Sequence, residues 1–160
     1  MAKAPYRHSV KGKLRSLRPD DLESVIAIDA ANVGRRRRGF FEKRLDAVRS
    51  DSELFITLAV EYEDTLAGFL IARIICGEFG TAAPIASIDT IGVAPEQQGK
   101  GLGSTLLAGL ETAARERGIF EVMSQELWSG SALMGFFSSA GFEVAPRWII
   151  ERGLREAIDF

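Results

Sequence analysis

Residues 98–104, Gln-Gly-Lys-Gly-Leu-Gly-Ser, set three glycines at alternate positions (Gly99, Gly101, Gly103) ahead of a run with helical periodicity. Glycines keep side chains off the backbone, and a helix start leaves N–H groups without internal acceptors. With the partial positive charge of the helix dipole, such a turn suits an anion, above all a phosphate. Lys100 adds a charged donor and Ser104 a hydroxyl. The spacing departs from two familiar phosphate loops. In G-x-x-x-x-G-K-[ST] a hydroxyl residue follows the lysine, where this chain has Gly101. In G-x-G-x-x-G a third glycine would stand at position 104, which is Ser104. A glycine-rich turn without a ligand is the plain alternative.

The flanking periodicities say what positions that turn. Residues 85–93 (IASIDTIGV) read as a strand entering it. Leu106, Leu107, Leu110, Ala113 and Ala114 line one face of a helix leaving it over about 103–117, which Gly118 closes. Residues 119–125 (IFEVMSQ) read as the next strand. The crossover between the two makes them parallel neighbours. Upstream, residues 11–17 read as a short strand. Pro19, Asp20, Asp21 and Glu23 mark a helix start, with proline in the first turn and acids at the positive end of the dipole. That helix runs until Asn32 and Gly34, and a second one spans 39–50. Residues 54–62 and 65–75, either side of Glu63-Asp64, read as an antiparallel hairpin. Downstream, Ala132 to Ala140 form a helix ended by Gly141. Residues 142–152 return to the sheet as a strand, with Pro146 at a bend or edge. The fold class is one α/β domain with a mixed, mostly antiparallel sheet, over 11–160, after a basic disordered tip at 1–10.

Composition narrows the classes. The 46% hydrophobic and 26% charged residues suit a globular core. A net charge of -2 argues against generic nucleic-acid binding. One cysteine, Cys76, excludes an internal disulfide, and with one histidine, His8, it makes a zinc site improbable, so no metal is expected. These counts fit a reducing cytoplasm. The longest apolar stretch is interrupted by Arg73 and is too short to span a bilayer, so no membrane partner is expected.

Gln98-Gly99-Lys100-Gly101-Leu102-Gly103 resembles the [QR]-x-x-G-x-[GA] signature of the GNAT superfamily of N-acetyltransferases. The strand-loop-helix around it, and the later helix ending in Gly141-Phe142, resemble that family in the same order along nearly the whole chain. The resemblance implies a sheet splayed at two central parallel strands, and acetyl-CoA as the cosubstrate. It implies that Ile91 and Val93, with Gly92 between them, pair through backbone groups with the pantetheine arm. Gln98, Gly99, Lys100, Gly101, Leu102, Gly103 and Ser104 would cradle the diphosphate, and Phe137 would lie by the cofactor. It implies transfer of an acetyl group to a primary amine by direct attack.

Two positions depart from the family pattern. Phe137 stands where many members have a tyrosine thought to protonate the departing thiolate, and Gly130 where an asparagine is often found. Phe137 keeps a second reading alive, an acyl-CoA-binding module with little or no transferase activity. Direct attack needs a neutral amine, hence a base or a water path. Asp89 and Glu126 are the base candidates. Asp89 shares a face with Ile91 and Val93 by period two, and Glu126 ends the neighbouring strand. Each reads more readily as a solvated or capping carboxylate, since perturbed carboxylates are the minority. Tyr62 is a remote acid candidate.

Arg35 to Arg38 read as a solvated face, while the resemblance implies that they border the acceptor site, where they would recognise an acidic acceptor. Trp128 covers the core or lines that site. Cys76 reads as buried and inert. Trp148, Ile149 and Ile150 serve the core or the seam of a homodimer.

Overall fold

The computed structural model describes residues 12–77, 80–125 and 131–154. Five strands, β1 (Lys13–Arg15), β2 (Phe55–Tyr62), β3 (Thr65–Ile75), β4 (Ile85–Val93) and β5 (Val122–Ser124), form one sheet in sequential order. The first three pairings are antiparallel and β4–β5 is parallel. The hairpin turns at Glu63 and Asp64, both left-handed (φ 52° and 59°), so its tight turn is built without glycine. Helices α1 (Leu22–Val33) and α2 (Arg38–Ser50) precede the hairpin, α3 (Leu102–Glu116) makes the β4–β5 crossover, and α4 (Ser131–Ser139) follows β5. No helix among the described residues is long and apolar enough to cross a membrane.

Helices α1 and α2 cover one face of the sheet and α3 the other. On one, Val25, Ile26 and Ile28 of α1 and Phe41 of α2 pack with Phe55, Phe69 and Ile71. The rings of Phe41 and Phe69 meet edge to face, 5.7 Å apart. On the other, α3 lies so close that a Cβ on Gly109 would come within 2.9 Å of Leu14, and one on Gly68 within 3.3 Å of Leu106. The start of α1 is tied to the sheet by Arg15, which donates to both oxygens of Asp21 (2.7 and 2.9 Å) and to Glu61 (2.6 Å). Burial pushes the Asp21 carboxyl up, but hydrogen bonds from the Arg15 side chain and the Arg18 N–H outweigh it, and the net shift is downward.

Two irregularities shape β3 and β4. Val60 pairs with Gly68 and Glu61 with Leu66, so Ala67 is an extra residue in β3. Ile71 pairs with Thr90 and Ala72 with Ile88, so Asp89 is an extra residue in β4. An inserted residue puts two neighbours on one face and reverses the alternation beyond them.

Two expectations are corrected here. Residues 142–154 contain no strand. Arg147 N–H bonds the Ala145 carbonyl (2.8 Å) across Pro146, which has no N–H to give a ladder, and Trp148 is 91% exposed. The parallel pair is therefore the last pair of the described sheet. Cys76 is exposed rather than buried, because β3 ends one residue before it. In α4, Phe137 is buried, with its ring 5.4 Å from that of Phe136 and 4.9 Å from that of Phe142. The expected tip at 1–10, Glu126, Trp128 and Gly130 lie outside the described residues.

Candidate active site

Strand β4 changes character along its length. Ala86, Ser87 and Ile88 pair with β5 on one edge and β3 on the other. Beyond Ile88 no described strand continues the β5 side, while pairing with β3 runs on to Val93. Ala94 N–H bonds the Ala67 carbonyl of β3 at 2.8 Å. Polar groups of successive strand residues point to opposite edges, so Val93, and Ile91 two before it, present theirs to the unpaired edge. Gly92 has a packing reason to lack a side chain. A Cβ there would come within 2.9 Å of the Phe69 ring and 3.4 Å of Ile28.

A short 3₁₀ turn, Pro95–Gln97, leads from β4 into the glycines. Gly99 (φ 78°) and Gly101 (φ 82°) are both left-handed, and nothing lies within 4 Å of where their Cβ atoms would be. These two therefore serve conformation and open space together. Gly103 is the second residue of α3. Gly101 is the N-cap, and no side chain caps the helix. The first N–H with an intrahelical acceptor is that of Thr105, bonded to the Gly101 carbonyl at 3.0 Å, so the amides of Leu102, Gly103 and Ser104 have none within α3. The Leu102 side chain is buried in the core, leaving its amide as its contribution to the turn. Lys100 folds against the turn, with Nζ donating to Gln97 (2.7 Å) and lying 5.0 Å above the centre of the Tyr62 ring.

Gln98 faces the strand end. Its Nε2 donates to the Val93 carbonyl (3.1 Å) and to Asn32 Oδ1 (2.8 Å), while Asn32 Nδ2 donates to the same carbonyl at 2.9 Å. Asn32 thus joins the last turn of α1 to the end of β4 and to the glycine turn. Of the two residues expected to end α1, Gly34 (φ 78°) caps it, its N–H bonding the Ala30 carbonyl, while Asn32 lies within the helix. Nothing local in the sequence signals a contact 66 residues away.

Asp89 is not where alternation places it. Because it is the inserted residue, it shares the Ile71 face with Thr90, whereas Ile91 pairs with Leu70 and Val93 with Gly68 on the α3 face. Its side chain is 7% exposed, bonded by Arg73 Nε (2.8 Å) and approached by Arg44 Nε (2.9 Å). The arginine run is largely engaged. Arg37 pairs bidentately with buried Asp29 and lies over the rings of Phe40 and Phe41. Arg38 pairs with Glu23 and Glu42, and exposed Arg36 is 3.6 Å from Glu23.

Against known proteins, the profile of the acetyltransferase (GNAT) family matches residues 20–142. A mycothiol acetyltransferase of Kocuria rhizophila is 33% identical over 120 residues, 74% of this chain and 38% of that protein. Another, of Renibacterium salmoninarum, is 30% identical over 84% of this chain and 40% of its own length. The chain therefore spans about two-fifths of these curated relatives. Among solved structures, an aminoglycoside antibiotic 6'-N-acetyltransferase of Acinetobacter haemolyticus superposes with a TM-score of 0.77 at 12% identity, covering 90% of this chain and 99% of that one. A transcriptional regulator of Bacillus halodurans gives 0.76 at 17%, covering 89% and 99%. These likenesses show the fold. A family profile over most of the chain, on a strand that ends in an uncapped glycine turn, settles the lineage: the chain belongs to the acetyltransferase (GNAT) family.

Proposed function

We propose that the chain transfers an acetyl group from acetyl-CoA to a primary amine. The observation that carries this reading is the turn at 99–104, where open space above two left-handed glycines adjoins helix amides with no acceptor inside α3. These features fit a diphosphate, which needs close backbone approach and several N–H donors. The main-chain groups of Ile91 and the N–H of Val93, on an edge that no described strand pairs, fit the amides of a pantetheine arm added to β4 like an extra strand, while the Val93 carbonyl is already held by Asn32 and Gln98. Acetyl-CoA, when bound, supplies an acetyl group activated as a thioester.

The chain's own part is to bind, orient and manage protons. The acceptor must react as the neutral amine, and its proton must leave to a base or to water. We assign Asp89 a structural role in place of that of base, since each of its oxygens already faces a guanidinium. Phe137 has no exchangeable proton to give the leaving thiolate. A thiol leaves readily enough that solvent can meet that need. A cytoplasmic location, where acetyl-CoA is made and used, completes the reading.

Calorimetric titration with acetyl-CoA, followed by thiol release over a panel of amino acids, amino sugars, aminoglycosides and peptides, tests it. Binding together with release for at least one amine is the expected result. Binding without release for any amine would favour an acyl-CoA-binding module, and no binding would remove both readings.

A further inference from the structure

The charges around Asp89 do not cancel. One carboxylate holds two guanidinium groups, and no other acid among the described residues pairs with Arg44 or Arg73. Arg37, by contrast, has Asp29 to itself. The two contacts also differ in quality. Arg73 Nε makes a hydrogen bond, whereas Arg44 Nε and Asp89 Oδ2, 2.9 Å apart and both buried, complete none. Arg44 is braced from the side by the Phe40 ring, 5.4 Å from its guanidinium carbon. Each arginine turns its Nε toward Asp89. The paired Nη edge, the part of the fork that matches two oxygens of a carboxylate, is left uncommitted in both among the described residues.

Location gives this excess charge a use. Under the proposed function, on which this step rests, the cofactor runs from the glycine turn past Val93 and Ile91. Its thioester then comes next along β4, at the bulge formed by Asp89 and Thr90. The arginines lie at that bulge, on the face of the sheet opposite α3. We propose that Arg44 and Arg73, held by Asp89, form the acceptor subsite for a carboxylate, so that the amine acetylated belongs to an amino carboxylic acid. A guanidinium aligned beforehand loses little freedom on binding, and the positive charge that Asp89 leaves over is what a substrate carboxylate neutralises.

The test uses the full chain, acetyl-CoA, and the standard amino acids paired with their C-terminal amides as probes. Thiol release should favour one or more acids over the matching amide by about 10-fold or more in kcat/KM, the scale of a charge-assisted hydrogen-bonded contact. Arg73→Met and Arg44→Met, each leaving Asp89 one partner, should raise KM for the preferred acid and erase that ratio. The affinity for acetyl-CoA should hold, which also reports that the variants are folded. Arg73→Lys should restore part of the preference. Equal or better turnover of the amides, a preference that survives both methionine variants, or no turnover of any acid while acetyl-CoA still binds would each overturn the subsite. Loss of acetyl-CoA binding by the unaltered chain would instead overturn the proposed function itself.

Discussion

The glycine turn at 99–101 and the arginine run at 35–38 treat a prospective anion in opposite ways. The turn carries little formal charge, yet it leaves space and unsatisfied amides facing outward. The run carries four positive charges, yet Arg37 is committed to buried Asp29 and Arg38 to exposed Glu23. Availability, rather than charge count, separates a binding site from a brace. Arg44 and Arg73 fall between these extremes, being anchored but not neutralised.

Four measurements would break or sharpen that contrast. The largest effect is expected at the brace. Asp29→Ala strands the half-buried Arg37 guanidinium, and the unfolding free energy from denaturant titration should fall by about 3 kcal/mol. A drop under about 0.5 kcal/mol would mean the pair is no brace. Next comes the turn. Gly101→Glu puts an acid where the diphosphate would sit and a side chain at a left-handed residue, so acetyl-CoA affinity should weaken about 100-fold by calorimetry, at a cost of only about 1–2 kcal/mol in stability. Gly103→Glu, inside the helix, tests the charge effect without the left-handed strain. Unchanged affinity in both variants would sink the site.

A smaller effect is expected from Asn32→Leu, which frees Gln98 and one bond to the Val93 carbonyl. It should weaken acetyl-CoA binding about 10-fold while leaving kcat near its starting value. The mildest concerns acid. The Asp21 carboxyl is held below its ordinary value in the folded chain, so its contribution is complete above about pH 4 and is lost as pH falls through the depressed value. The unfolding midpoint should drop across that window, and Asp21→Asn should flatten the drop. A profile unaffected by that change would remove Arg15–Asp21 from the account of what fixes α1.

Much of this architecture was legible from local pattern. The hairpin around Glu63-Asp64, the helix opened at Pro19 and the strand-turn-helix at 85–117 follow from period and punctuation alone, within a residue or two. Asp89 escaped the same logic because an inserted residue is invisible to a rule that counts in twos. Asn32 escaped because its partners are brought to it by tertiary packing. Residues 142–152 carry strand-like composition, but a ladder needs N–H groups, and Pro146 interrupts them. The open glycine turn was readable because its cause is local: two backbone conformations that few residues besides glycine adopt.

The supernumerary residue in β4 has one further consequence. With Asp89 excised, Thr90 would follow Ile88 directly, and the ladder against β3 would run unbroken from Ile85 to Val93. A strand relieved of that kink is free to extend its pairing with β5 beyond Ile88, along the edge to which the proposed pantetheine arm is assigned. On the proposed function, a one-codon deletion here would restore the ladder and close that edge to the cofactor.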